Sequence, residues 1–143
     1  MENEIFTKNL IRVAFCAMTC DLEIDKSEIF KIREIVDNDF YFKGFSLTNE
    51  IDSLEKEFKT LKLLLIERTL NEQTTLKYTE SQKIIILDTA IGIIRADREI
   101  RQEEKDYINQ LIINLRVPSS IVQAKFGDWD SLKEEEIPSV VMS

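Results

Sequence analysis

Phe6, Leu10, Val13, Ala14 and Ala17 recur at intervals of three and four residues, the period at which an α-helix returns to the same face. The spacing predicts a first helix with one buried stripe, ending near Cys20. Asp25 and Glu28 then have the Asp-x-x-Glu spacing of a capping box, and Ile29, Ile32 and Val36 continue at helical intervals into a second helix. That helix is expected to stop near DNDFYFKGFS, Asp37 to Ser46, where turn formers mix with four aromatics in a loop that folds back onto the core. Ile51, Leu54, Phe58, Leu61 and Leu65 resume the pattern with Glu and Lys on the other side, which predicts one long helix or two broken near Phe58. TESQ, Thr79 to Gln82, is another capping box and opens a helix through Ile84, Leu87, Ile91 and Ile94. Tyr107, Ile108, Leu111, Ile112 and Leu115 mark the next helix. Pro118 suits the first turn of a short last one, ending before Gly127.

Composition agrees with that pattern. A chain of 143 residues fits one domain and buries a core without staples. Three Gly and two Pro are too few for the many turns of an all-β fold, so the class is all-α. The net charge of −8 and the lack of a dense basic run argue against nucleic acid. No apolar run approaches the roughly 18 residues of a membrane span, and the start lacks the charged-then-apolar order of a signal peptide. The expected location is cytoplasmic, without direct membrane insertion. The segment around Phe58 carries Glu50, Asp52, Glu55 and Glu57 on its polar face, where lipid-surface helices carry basic residues.

Histidine is absent, which removes Ser-His-Asp and Cys-His catalysis and imidazole zinc sites. Cys16 and Cys20, four apart on one helical face, belong to no disulfide framework and read as buried thiols rather than a redox or soft-metal pair. Gly44, Gly92 and Gly127 are isolated, so no P-loop or dinucleotide fingerprint can be written. What remains is oxygen-ligand metal chemistry.

The chain gathers acid twice, in CDLEIDKSE (Cys20 to Glu28) and ADREIRQEE (Ala96 to Glu104). Residues 14–36 aligned with 90–112, an offset of 76, match at Ala14/Ala90, Asp21/Asp97, Glu23/Glu99, Ile24/Ile100, Glu28/Glu104 and Ile32/Ile108. Apolar classes also match at Met18/Ile94, Ile35/Leu111 and Val36/Ile112, as two copies of one helix-bend-helix unit would. The implied architecture is a pseudo-twofold helical bundle.

The two copies of Asp-x-Glu-Ile-x-x-x-Glu resemble the tellurite-resistance TerB family and related helical domains near the N-terminus of some membrane-anchored J-domain co-chaperones. The resemblance covers most of Met1 to Phe126, leaving 127–143 as an acidic and apolar tail. It implies a compact bundle of about seven helices in a bacterial stress-response setting. It also implies a candidate divalent-metal site, with Asp21, Glu23 and Glu28 from one copy and Asp97, Glu99 and Glu104 from the other; Asp25 joins them in the first bend. The family motif has Gly directly after the Asp, where this chain has Leu22 and Arg98, and a side chain there limits positive φ. Arg95, Arg98 and Arg101 surround the second set of acids, so internal ion pairs compete with a cation there, and the first bend is the better metal candidate.

Each acid also has a structural explanation. Glu28 and Glu104 fall in a first helical turn, where the dipole favours negative charge. Asp21 and Asp97 close a helix, where the dipole disfavours it, so each needs an Asx-turn, a basic partner or a hard cation. An EF-hand does not fit, because Lys26 and Ile32 stand where Gly and a bidentate Glu are required. Any cation would be Ca²⁺, Mg²⁺ or Mn²⁺. No substrate-positioning motif or nucleophile-base pair accompanies the carboxylates, so the expected function is non-enzymatic, with no small-molecule substrate evident. The two readings are a divalent-cation module and a metal-free interaction or scaffold module, with a protein partner or a second copy, whose acids are helix caps. Trp129 is expected to anchor the start of the tail against the domain.

Overall fold

The computed structural model describes residues 2–22, 30, 34, 47–96, 100–127 and 129. The aromatic loop, most of the second expected helix and the tail beyond Trp129 lie outside these residues, although Phe30 and Glu34 are helical. The described chain is all helical: α1 (Glu2–Thr19), α2 (Leu47–Leu61), α3 (Leu63–Glu72), α4 (Glu80–Ala96), α5 (Gln102–Leu115) and α6 (Ser119–Phe126). No described helix is long and apolar enough to cross a membrane.

The bundle is organised around α1, which packs against α2, α3, α4 and α5. The expected single stripe understates its burial. Leu10, Ile11, Val13, Ala14, Phe15, Cys16, Ala17 and Met18 are all buried, so the second half of α1 is enclosed on every side. The expected stripe holds Phe6, Leu10, Val13, Ala14 and Ala17, and a second set at helical spacing, Ile11, Phe15 and Met18, buries another side of the same helix. Phe15 meets Phe58 of α2 edge to face, with centroids 6.0 Å apart. Ile86, Leu87, Ala90 and Ile94 of α4 and Tyr107, Ile108, Leu111 and Leu115 of α5 complete the core.

The helix ends follow local chemistry where the sequence supplies it. At the start of α4, the Thr79 hydroxyl accepts the Gln82 N–H at 3.1 Å. The Gln82 side chain accepts the Thr79 N–H at 2.9 Å in return, completing the expected box. Helix α5 closes on Arg116 in the left-handed region (φ 59), with the Val117 N–H donating to the Ile112 carbonyl at 3.2 Å. Pro118 follows and caps α6, which ends on Gly127 at φ +57. Trp129 is buried against the core, as an anchor should be.

Between α2 and α3 the break falls at Lys62, four residues beyond Phe58 and without a Gly or Pro to cause it. Lys62 has φ 46 and ψ −117, and its N–H still donates to the Phe58 carbonyl at 2.8 Å. Leu63 and Leu64, just beyond, are exposed.

Candidate functional site

The end of α1 sets the first bend. The Thr19 hydroxyl donates to the Phe15 carbonyl at 2.9 Å, and the Leu22 N–H donates to the Thr19 carbonyl at 2.8 Å. This tight turn carries Leu22 into the left-handed region at φ 67. The bend therefore keeps the positive φ that a Gly would favour, and it does so with an exposed leucine. A side chain at this position does not prevent the turn; it adds strain to it.

Asp21 leaves the same turn, and its Oδ2 accepts a charge-assisted hydrogen bond from Arg101 Nη1 at 2.9 Å. Arg101 stands directly before α5 in extended backbone, φ −84 and ψ 161, at the helix entrance. Its own N–H donates to Glu104 Oε1 at 2.7 Å. A guanidinium has no acceptor to return, so Glu104 supplies the chemically possible half of a capping box, and its charge sits in the favourable first turn. One residue thus connects both acids: the Arg101 main chain holds Glu104 and its side chain holds Asp21.

Cys20 lies where the two bends meet. Burial pushes its thiol upward, and the negative charges of Glu104, Asp21 and Glu103 push the same way. The Cys20 thiol donates to the Ala17 carbonyl at 3.2 Å. Cys16, one turn earlier, is buried and pushed up to about 12 by burial, with the Thr69 hydroxyl beside it opposing the shift. Both thiols are held in the protonated, unreactive form at neutral pH.

Of the seven candidate ligands, Asp21 and Glu104 are described and are brought to one region. Glu23, Asp25, Glu28, Asp97 and Glu99 lie outside the described residues. Among the described residues, no three His, Cys, Asp or Glu side chains are grouped to hold a metal ion.

A second polar cluster escaped the sequence reading. Asn9 and Gln73, 64 residues apart, exchange two side-chain hydrogen bonds at 2.9 and 2.8 Å, and Gln73 Nε2 also donates to the Thr69 carbonyl at 2.9 Å. Nearby Tyr78 packs edge to face on Phe6, with centroids 5.6 Å apart. Burial, then Glu72, pushes the Tyr78 phenol up to about 12, although Asn9 opposes the shift. The available signal was a polar residue on an apolar stripe: Asn9 lies three after Phe6 and four before Val13, and Gln73 continues the Leu65, Thr69 interval.

No protein-family model, curated protein or solved structure matches the chain.

Proposed function

We propose that this chain is a non-enzymatic, TerB-like helical module that acts as a metal-free interaction or scaffold domain, in the bacterial stress-response setting the resemblance implies. The observation that supports this reading is the engagement of Asp21 and Glu104 by Arg101. A carboxylate that accepts a guanidinium at 2.9 Å already has a cation, and a divalent ion would have to displace it. On this reading, acid recurs because each bend must fasten a helix end and a helix start. The bends are joints, and the working surface lies elsewhere.

The second reading is a weak divalent-cation site. It is supported by the approach of acids from both bends to one thiol, since Asp21 and Glu104 both act on Cys20. Hard cations want several oxygens from converging segments. Calorimetric titration of EDTA-stripped protein with Ca²⁺, Mg²⁺ and Mn²⁺ separates the two. The scaffold reading expects no heat and an unchanged melting temperature at millimolar cation. Saturable binding that raises the melting temperature and disappears in Asp21→Asn would overturn it in favour of the cation site.

A further inference from the structure

We propose that the α2–α3 elbow is a hinge that straightens into a single helix from Leu47 to Glu72, and that the straightened chain exchanges halves with a second copy to form a domain-swapped dimer. Three independent features of the elbow carry this. The first is its backbone: Lys62 holds φ 46 with ψ −117, a combination suited to Gly and strained for any residue with a Cβ. The second is its composition. Leu47 to Glu72 contains neither Gly nor Pro, and the residues flanking the break, EKEFKTL and LLLIERTL, are mostly good helix formers. Nothing local ends α2. The break is imposed by the packing of Phe58 on one side and of Leu65 and Ile66 on the other.

The third feature is phase. Ile51, Leu54, Phe58, Leu61, Leu65 and Thr69 are spaced by three and four residues straight through the elbow, so an unbroken helix would carry them on one face. Leu64, exposed in the bent form, lies three residues after Leu61 and would return to the edge of that stripe.

The geometry of the core names the partner. Both α2 and α3 pack on α1, from opposite sides of the elbow. A straight helix from Leu47 to Glu72 would be about 39 Å long and would outrun the about 27 Å of α1. Straightening therefore parts α1 and α2 from α3 to α6 and uncovers the core between them. The surface complementary to each half exists on the other half of an identical chain, so a second copy restores every contact with its native geometry. The Asn9–Gln73 and Asp21–Arg101 bonds join the two halves, and in the dimer both would form between subunits.

The test is to refold the full chain from denaturant at high concentration and to separate species by size exclusion with light scattering. A slowly exchanging dimer with native helicity is expected. Lys62→Gly, which relieves the bent form, should lower the dimer yield by about tenfold or more and raise the unfolding midpoint of the monomer. Lys62→Ala keeps the Cβ and should dimerise like the parent chain. Lys59→Gly weakens a position that is helical in both forms and should leave the ratio of dimer to monomer unchanged. Monomer alone in the parent chain at millimolar concentration, or equal effects of Lys62→Gly and Lys59→Gly, would overturn the proposal.

Discussion

Asn9–Gln73 and Asp21–Arg101 are two of the polar fastenings that tie α1, or the turn that ends it, to later parts of the chain. Asn9 and Gln73 exchange paired hydrogen bonds where the residues are 7% and 2% exposed. Asp21 meets Arg101 at a similar distance, but the arginine side chain is 49% exposed. Similar lengths conceal different energetics. When the outer pair breaks, water solvates both charges, so the net contribution is small. When the inner pair loses one member, the remaining amide loses its partner in a packed interior that water does not reach. Without Asn9, Gln73 would keep its bond to the Thr69 carbonyl and lose the acceptor role of its oxygen. The acids attract notice in the sequence, yet the neutral amides hold the larger stake in stability.

The largest effect should follow from stranding one amide. Asn9→Leu removes both bonds to Gln73 and is expected to destabilise the chain by about 2 kcal/mol. Denaturant unfolding measures this as a lower midpoint at unchanged slope. Adding Gln73→Met should recover part of the loss, because an apolar pair strands nothing. A double variant as unstable as the sum of the two singles would mean that the pair acts through packing alone, and the contrast between the fastenings would collapse.

Cys16 lies on α1 between the two fastenings and reports on the same interior. Its thiol is pushed from 9.0 up to about 12 by burial, and unfolding returns it to its ordinary value. Below pH 9.0 both states keep the proton and the stabilising difference is fully present. As pH rises toward about 12 the unfolded chain releases a proton that the folded chain retains, so stability falls, by up to about 1.4 kcal/mol per pH unit from this group. Cys16→Val should make the alkaline slope of stability against pH shallower, leaving the parts due to Cys20, Tyr78 and Tyr107. Asp21→Asn, at the more exposed fastening, should leave the Cys16 part of that slope as it is, because Asp21 acts on Cys20 and not on Cys16.

Tyr107 offers an intermediate case. Its hydroxyl donates to the Val13 carbonyl at 3.0 Å from a fully buried ring, which ties α5 to the middle of α1. Tyr107→Phe keeps the ring and removes the bond, at an expected cost of about 1 kcal/mol in chemical denaturation. A loss as large as that of Asn9→Leu would show that burial of the site, rather than stranding of a partner, sets the scale.

What the sequence made legible is what local chemistry decides. The three-and-four spacing marks Phe6, Leu10, Leu54, Leu87 and Leu111 as core, and the Thr79 to Gln82 box stands where its residue types require. Lys62 was not legible as a break, because its neighbours favour helix and only the packing of distant residues bends it. Asp21 and Glu104 stood out as acids, but their shared partner depended on how closely the bends approach. Arg101 was expected to pair within its own bend, and its side chain also reaches Asp21 in the other one. Asn9 and Gln73 were hidden by the 64 residues between them, which no periodicity within a single helix can span.

The smallest expected effect belongs to the fastening that the acids make conspicuous. Asp21→Asn and Arg101→Gln each remove a charge from a pair whose arginine side is half exposed, and each should cost less than about 1 kcal/mol. A double-mutant cycle should return a coupling below about 0.5 kcal/mol at low salt, shrinking as salt screens the pair. Arg101→Gln leaves the main-chain bond to Glu104 intact, so the start of α5 should keep its hydrogen-exchange protection while the tie to α1 is lost. A coupling of several kcal/mol, insensitive to salt, would mean that water does not reach the pair when it opens. The junction of the two bends would then be as much a part of the interior as Asn9 and Gln73, and a joint of that stiffness would leave a competing cation no room to enter.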